Sequence, residues 1–225
     1  MQIRTAVSIH LHPERRPIPQ SDAKQLLPII AKAFAQLGYR RATTAMLAKA
    51  CGVRENVIYR VWPSKKAMFL ATLDYVWDSS SEIWRRLLEQ SRSTDPAETA
   101  RRVLLYESTH HGEVGLYRIV FTGLSETDDP EIAAAMRRMY ENFHTFIVSQ
   151  VTAARRTSAP KSAARPRRAG RAPAPIEDDL IAWALVGLAT VANIGYALGA
   201  PGKRQRSLLY TSVGNLLINA NQPSG

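Results

Sequence analysis

The spacing of apolar residues and helix breakers between residues 21 and 66 is the feature that most constrains the fold. Apolar residues recur at intervals of three and four from Leu27 to Phe34, which predicts a helix, and Gly38 offers its C-terminal stop. Pro28 must lie in the first two turns or bend this helix, because proline cannot donate a backbone hydrogen bond. The N-terminal region is therefore predicted to begin with one packing helix.

Two short helices should follow. The first fits Thr43–Cys51, with Thr43 or Thr44 as its N-cap and Gly52 as its end. Its apolar face would consist of Met46, Leu47 and Ala50. The second fits Arg54–Val61 and is broken by Trp62-Pro63-Ser64, where Ser64 can cap a long fourth helix towards Glu89. Two short helices around a glycine-containing turn, after a longer packing helix, form a helix-turn-helix.

The rest of the chain is predicted to be helical as well, since strand-like alternation is absent. Asp95-Pro96 and Asp129-Pro130 are helix starts, and the helix from Asp129-Pro130 reaches Val151. Two more helices fit Glu177–Leu198 and Lys203–Ala220. The predicted fold class is all-α.

We expect a flexible tail at residues 1–20, a helix-turn-helix domain at residues 21–68 and a larger helical domain at residues 69–225. Within the larger domain, residues 154–176 are rich in Ala, Arg and Pro. This composition predicts a disordered loop.

The formal net charge of +11 is unevenly distributed. Residues 1–66 carry +9 and residues 154–176 carry +7, whereas the remaining residues sum to −5. A basic N-terminal module predicts a nucleic acid partner at that end of the chain. For the basic loop we favour a solvated segment, with nonspecific attraction to DNA as the alternative.

The cysteine count and the first residues suggest a cytoplasmic location. The single cysteine, Cys51, excludes an internal disulfide and a cysteine-based metal cluster, and suits a reducing compartment. Residues 1–20 contain three prolines and lack the apolar run of a signal peptide.

One run of residues carries a family resemblance. It consists of Gly38-Tyr39, Thr43, Leu47-Ala48, Ala50-Cys51-Gly52-Val53, Ile58-Tyr59, Trp62-Pro63-Ser64-Lys65 and Leu70. In spacing and identity this run resembles the TetR family of bacterial regulators. The resemblance implies a homodimeric DNA-binding regulator of transcription that places two recognition helices, here Arg54–Val61, in successive major grooves of double-stranded DNA.

The resemblance also implies which residues contact DNA. Thr43, Tyr59 and Lys65 would contact phosphates. Base edges would be read by Arg54, Glu55, Asn56 and Arg60, since Arg favours guanine, Asn favours adenine and Glu can accept from cytosine. Arg54 stands where the family often has a capping Ser, and Glu55 places an acid near phosphates.

The stretch from Leu180 to Ala200 contains no charged residue and is long enough to span a membrane. We expect instead a helix that is apolar all round and buried, with a membrane-attached regulator as the alternative. The resemblance implies that the last two helices pair with their copies in a dimer. The predicted interface consists of Trp183, Gly187, Val191, Gly195, Leu198, Leu209 and Leu216.

The resemblance further implies a repressor that a small-molecule effector releases from a palindromic operator. The candidate effector pocket consists of His110, Tyr117, Phe121 and Phe143. No catalytic motif, metal or cofactor is expected. The alternative is a helical metal-binding protein or enzyme that uses Glu107, His110 and His144, although the adjacent His110 and His111 point to different helix faces.

Overall fold

The computed structural model describes residues 20–90, 102–103, 105–107, 116–158 and 176–218. In this part of the chain the regular structure is helical and contains no strand, which confirms the predicted all-α class. Residues 1–19 of the predicted tail, the Asp95-Pro96 helix start and residues 159–175 of the predicted loop lie outside the described residues.

The three N-terminal helices follow the predicted pattern. Helix α1 is Gln20–Leu37, α2 is Thr44–Ala50 and α3 is Glu55–Val61. Gly38 and Gly52, which follow α1 and α2, have φ values of 74° and 66°. Glycine adopts this left-handed conformation without the steric penalty of a Cβ, so both predicted stops are confirmed.

Two details of these helices differ from the prediction. Pro28 is the ninth residue of α1, beyond its first two turns, where its nitrogen cannot donate to the carbonyl of Lys24. The predicted apolar face of α2 is wrong in part, because Met46 and Ala50 are exposed while Leu47 and Ala48 are buried. Helix α2 is only seven residues long and lies against both α1 and α3, so two adjacent side chains suffice to anchor it.

Helix α4 is Lys65–Gln90 and α5 is Tyr117–Leu124. Ser64 caps α4 as predicted, since its hydroxyl accepts from the backbone N–H of Ala67 at 3.0 Å. Helix α4 passes through residue 68 without interruption. The domain boundary placed there therefore stays a prediction.

Helix α6 is Pro130–Ser158, and its end corrects the sequence prediction. The helix continues past Val151 into the region predicted to be a loop, because Val151 and Ala154 share one face and are buried against α7. Helix α7 is Asp178–Leu198. Arg155 in the last turn of α6 pairs with Asp178 in the first turn of α7, which ties the two ends together.

The C-terminal segment is helical but not uniform. It consists of α8, Lys203–Leu208, a π-helical turn, Leu209–Gly214, and α9, Asn215–Ile218. Leu209 and Asn215 at the junctions keep right-handed helical dihedral angles. The single helix predicted over Lys203–Ala220 therefore contains a wider turn that the apolar spacing does not indicate.

The buried side chains form two clusters. The first joins α1, α2 and α3 to α4, α5 and α6, and its fully buried members include Ile30, Phe34, Leu47, Ile58, Phe69 and Ile132. The second joins α6, α7 and the C-terminal segment through Val151, Ile181 and Tyr210. Because one core runs from the N-terminal helices into α6, a rotation of those helices would expose apolar surface to water.

Candidate nucleic-acid interface

Helix α3 has a buried inner face and a polar outer face. Ile58 is fully buried, and Trp62, which follows the helix, is buried as well. The side chains on the opposite side are exposed. Together with the exposed Arg54 they form a surface that we call the recognition face, which consists of Arg54, Glu55, Asn56, Tyr59 and Arg60.

Thr43 caps α2 and lies beside the recognition face. Its hydroxyl oxygen accepts from the backbone N–H of Met46 at 3.2 Å, which confirms the first of the two predicted caps. Accepting this hydrogen bond leaves the hydroxyl hydrogen of Thr43 for another acceptor. Thr43 is exposed, so an anion such as a phosphate can reach it.

Thr44, the first residue of α2, connects two members of the recognition face. The hydroxyl of Tyr59 donates to Thr44 Oγ1 at 3.0 Å, and the hydroxyl of Thr44 donates to Glu55 Oε2 at 3.2 Å. Tyr59 is 46% exposed, so its ring does not belong to the core. The sequence suggests Thr44 only as a possible cap, and nothing in its spacing predicts this chain of hydrogen bonds.

The other three members of the recognition face are open to a ligand. Arg54 is the N-cap residue of α3 and makes no side-chain capping hydrogen bond, as its replacement of a capping Ser predicts. The side chains of Asn56 and Arg60 form no hydrogen bond or ion pair with the described part of the chain. Their donors and acceptors can therefore bind a partner without breaking contacts to described residues.

Lys65 is held against Tyr39. Its Nζ donates to the carbonyl oxygen of Tyr39 at 3.0 Å and lies 4.6 Å from the centroid of the Tyr39 ring, a cation–π distance. Burial, and then the charge of Asp129, raises the pKa of the Tyr39 phenol. An ammonium group has three donors, so Lys65 is fixed at the start of α4 and keeps donors for a phosphate.

Two basic residues bind an acidic turn between α5 and α6. Nε of Arg40 lies 2.9 and 3.0 Å from the two carboxylate oxygens of Glu126. Nζ of Lys66 lies 3.2 Å from Asp129 Oδ2 and also pairs with Glu131. We call these contacts the acidic-turn clamp. Sequence reasoning missed it, because its partners lie more than sixty residues apart.

The clamp is charged at neutral pH. Hydrogen bonds to Glu131 and Asp129 raise the pKa of Lys66. Burial acts to raise the pKa of Asp129, but hydrogen bonds from Lys66 and from the backbone N–H groups of Ile132 and Glu131 outweigh it and lower that pKa. Both shifts favour the ionised forms. Asp129 also caps α6 through these two backbone contacts, as the predicted helix start requires.

Phe143, one of the predicted effector residues, lies in an aromatic cluster between α4 and α6. Its ring centroid is 5.1 Å from that of Trp77 and 5.6 Å from that of Trp84. Phe146 stacks on Trp84 at 5.0 Å. Trp84 Nε1 also donates to Glu107 Oε1 at 2.6 Å, which places a carboxylate at the edge of the aromatic cluster.

The rest of the predicted effector set is not brought together in the described residues. Phe121 is half-buried in α5. His110 and the side chain of Tyr117 lie outside the described residues. The four-residue pocket therefore stays a prediction.

The structure gives separate partners to Glu107 and His144, the two described members of the alternative metal site. Glu107 accepts from Trp84. Nε2 of His144 lies 3.1 Å from Asp179 Oδ1, and the His144 ring stacks on Trp183. Among the described residues, no three His, Cys, Asp or Glu side chains are placed to share a metal ion.

Exposed apolar side chains are concentrated on α7 and the C-terminal segment. We call them the C-terminal apolar face, which consists of Leu180, Trp183, Val191, Ile194, Leu198, Leu208, Val213 and Leu216. Tyr196 is also exposed, but its ring lies 4.7 Å from the guanidinium of Arg206 and is not part of this face. Leu198 is 76% and Leu216 is 69% exposed. Clustered exposed apolar side chains are typical of interaction sites.

Three of the predicted interface residues differ from the others. Gly195 is buried within the chain, where an added Cβ would lie 2.9 Å from the carbonyl oxygen of Pro201. This corrects the prediction that Gly195 lies at the interface together with Gly187. Beside Gly187 an added Cβ would meet open space. Leu209 is half-buried, and Trp183 remains partly exposed although it stacks on His144.

Helix α7 is long and apolar enough to cross a membrane, with a mean hydropathy of 1.7 over its most apolar window. Length and composition alone are weak evidence for a membrane span, since the core helix of a soluble protein is also long and apolar. Only 33% of that window is buried within the chain. The expectation of a helix buried all round is therefore wrong for a single copy, because one side of α7 belongs to the C-terminal apolar face.

Comparison with known proteins places the recognition face in a family context. Residues 30–72 match the model of the bacterial regulatory proteins of the tetR family. The chain is 32% identical over 88 residues to YuxN of Bacillus subtilis, described as an uncharacterized HTH-type transcriptional regulator. That match covers 38% of this chain and 29% of YuxN, so the chain spans less than a third of this relative.

Solved structures share the whole fold at low sequence identity. A transcriptional regulator of Saccharomonospora viridis in complex with choline superposes with a TM-score of 0.66 and 17% identity, covering 90% of this chain and 97% of its own. The regulator FadR of Bacillus subtilis in complex with stearoyl-CoA gives a TM-score of 0.63 and 15% identity, covering 87% and 97%. These likenesses show the fold that surrounds the recognition face.

Proposed function

We infer that this chain, which carries the N-terminal domain of the TetR family, is a sequence-specific DNA-binding regulator of transcription. The recognition face carries this inference. It presents five polar side chains on a helix anchored by Ile58, inside the segment that matches the family. A helix of this kind fits the major groove of double-stranded DNA.

We assign the DNA contacts by chemistry. Arg54, Asn56 and Arg60 would read base edges, because guanidinium and amide groups form paired hydrogen bonds with guanine and adenine. Thr43 and Lys65 would bind phosphates, one with a hydroxyl hydrogen and the other with ammonium donors. The charge of +9 on residues 1–66 supports binding at this end of the molecule.

A homodimer would cover the C-terminal apolar face. Leu198 and Leu216 are the most exposed of its large apolar side chains, and burying them against a second copy removes apolar area from water. Two copies related by a twofold axis would present two recognition faces to a palindromic operator.

A small-molecule effector would control this binding. The structural relatives bound to choline and to stearoyl-CoA support an effector site in the helical region beyond α3. We place that site near the aromatic cluster of Trp77, Trp84 and Phe143. Effector binding would favour a conformation whose two recognition faces no longer match the operator, which requires different affinities for the two conformations.

We assign the chain a binding role and a cytoplasmic location. The recognition face contains polar and charged groups that suit DNA. In the described residues Glu107 and His144 are each engaged by other side chains, which supports a structural part for them rather than an enzymatic one. A repressor that acts by occupying its operator needs no further chemistry.

Selection of bound duplexes from a random DNA pool at about 0.15 M salt tests this function, since such salt weakens nonspecific binding. We expect enrichment of an inverted repeat. A variant that carries R54A, N56A and R60A keeps the buried core of α3 and should enrich nothing. A folded wild-type protein that enriches no sequence would contradict the proposal.

A further inference from the structure

Glu55 and Tyr59 reach the same residue of α2. They are four residues apart and therefore lie on one face of α3. Tyr59 donates to Thr44 Oγ1 at 3.0 Å, and Thr44 donates to Glu55 Oε2 at 3.2 Å. Each hydroxyl has a single hydrogen, so the direction of this relay is fixed from tyrosine to threonine to carboxylate.

The relay changes the role of Tyr59. Its only hydroxyl hydrogen is donated to Thr44, so the phenol cannot donate to a phosphate while the relay is intact. The family resemblance assigns Tyr59 a phosphate contact. In this chain its hydroxyl is instead committed to a hydrogen bond within the protein.

The relay also fixes Glu55. One carboxylate oxygen, Oε2, accepts from Thr44, while Oε1 accepts no hydrogen bond from the described part of the chain. The side chain is exposed at the start of the recognition face. A long acidic side chain that would otherwise sample many rotamers is thus held with one acceptor open to the outside.

We propose that Glu55 determines base specificity at one position of the operator, with Thr44 and Tyr59 as the positioning residues that hold it. This proposal rests on the proposed DNA-binding function. An ionised carboxylate only accepts hydrogen bonds. In the major groove cytosine presents an amino donor, whereas guanine presents two acceptors that repel the carboxylate. The relay therefore selects cytosine and rejects guanine at the base beneath Glu55.

The test uses the selected operator and its single-base variants, with dissociation constants measured by fluorescence anisotropy for the full-length protein. We expect the wild type to favour cytosine over guanine about tenfold at one position. Glu55→Ala should abolish that preference. Glu55→Gln should shift it towards adenine, because an amide pairs with the amino group and N7 of adenine.

The positioning residues are tested by Tyr59→Phe and Thr44→Val. Each should reduce the cytosine preference at that one position by a larger factor than it reduces the affinity for a shuffled duplex. Thr127→Val is the matched control, since it removes a comparable hydroxyl bond, 3.0 Å to the carbonyl oxygen of Leu124, away from α3. This control should behave as the wild type does.

Two results would overturn the inference. If Tyr59→Phe weakens all duplexes equally and makes the salt dependence shallower, the phenol contacts phosphate and the relay is absent on DNA. If Thr44→Val reduces discrimination at every position, the relay only supports the angle between α2 and α3. If the wild-type protein selects no operator, the proposed DNA-binding function itself is contradicted. That result is obtained before any variant is measured, so it is distinguished from a failure of the relay alone.

Discussion

Ile58 shows how one side chain joins stability to the position of the recognition face. It is fully buried between α3 and the rest of the first core cluster, while its neighbours Asn56 and Tyr59 are exposed. Burial of an aliphatic side chain stabilises a fold by a few kcal/mol. The same burial fixes the rotation of α3, and with it the direction in which the polar side chains point.

We expect Ile58→Ala to lower the free energy of unfolding by about 2–5 kcal/mol, because it removes buried methyl groups and leaves a cavity. Ile29→Ala is the matched control on α1, since Ile29 is 40% exposed and such substitutions change stability by about 0.5 kcal/mol. Urea denaturation measures both. Equal losses in the two variants would show that Ile58 does not lie in the core.

Sequence reasoning at this scale identified all the residues of the recognition face but not all their partners. Residue type and helical spacing indicate that Asn56 and Arg60 point outward. They cannot indicate that the hydroxyl of Tyr59 binds Thr44, because that contact depends on the angle between α2 and α3. The bonds of Arg40 and Lys66 to the acidic turn likewise depend on where α6 begins in space.

At the scale of elements, the acidic-turn clamp connects α1–α4 to the start of α6. Arg40 and Lys66 belong to the N-terminal part, Glu126 and Asp129 belong to the turn, and Glu131 belongs to the first turn of α6. A shift of α5 or α6 on effector binding would move these acids. In the proposed regulator, the clamp would connect such a shift to the N-terminal helices.

The clamp has a predictable pH dependence. The pKa of Asp129 is lower in the folded protein than its ordinary value of 3.8. Its contribution to stability is therefore present above pH 3.8 and is lost as the pH falls through the lower folded value. We expect Asp129→Asn, which keeps a capping oxygen, to destabilise the protein at neutral pH and to lose this effect in acid.

Thermal denaturation from pH 7 down to pH 3 measures the difference in stability between the wild type and Asp129→Asn. Asp128→Asn is the control, since the exposed Asp128 neighbours Asp129 and does not belong to the clamp. A difference between wild type and Asp129→Asn that stays constant over this range would show that the charge of Asp129 does not contribute.

Gly187 and Gly195 lie two turns apart on α7. Substitutions at these two positions test contacts between copies and contacts within the chain separately. Gly195→Ala should destabilise the single chain by about 1–3 kcal/mol, because the new Cβ would lie 2.9 Å from a backbone oxygen. Gly187→Ala meets open space and should favour the helix by about 0.5–1 kcal/mol. If copies pair through the surface around Gly187, the same change should weaken the dimer.

Sedimentation equilibrium and denaturation together distinguish these effects. We expect Gly187→Ala to lower the association constant while leaving the fold intact. An unchanged association constant would show that Gly187 does not lie in the contact between copies.

Element prediction succeeded where apolar spacing and glycine stops agree, as at Gly38 and Gly52. It failed at the end of α6, because the Ala- and Arg-rich residues after Val151 look like a linker although Ala154 is buried against α7. It also missed the π-helical turn at Leu209–Gly214. In both places the structure depends on packing against another helix, which the spacing of apolar residues along the sequence does not indicate.

For the whole molecule, the two clusters of buried residues match two tasks. The first cluster fixes the recognition face to α4 and α6, and the second supports the helices that carry the C-terminal apolar face. Charge follows the same division, since the N-terminal residues 1–66 are strongly basic. In the proposed regulator, this arrangement would place DNA binding on the N-terminal helices and dimer formation on α7 and the C-terminal segment.

The most direct measurement compares dissociation constants for the selected operator and for a shuffled duplex of the same composition, at about 0.15 M salt. We predict that the wild type binds the operator at least about 10³-fold more tightly. The variant with R54A, N56A and R60A should lose most of this ratio. Equal affinity of the wild type for the two duplexes would contradict sequence-specific binding by the recognition face.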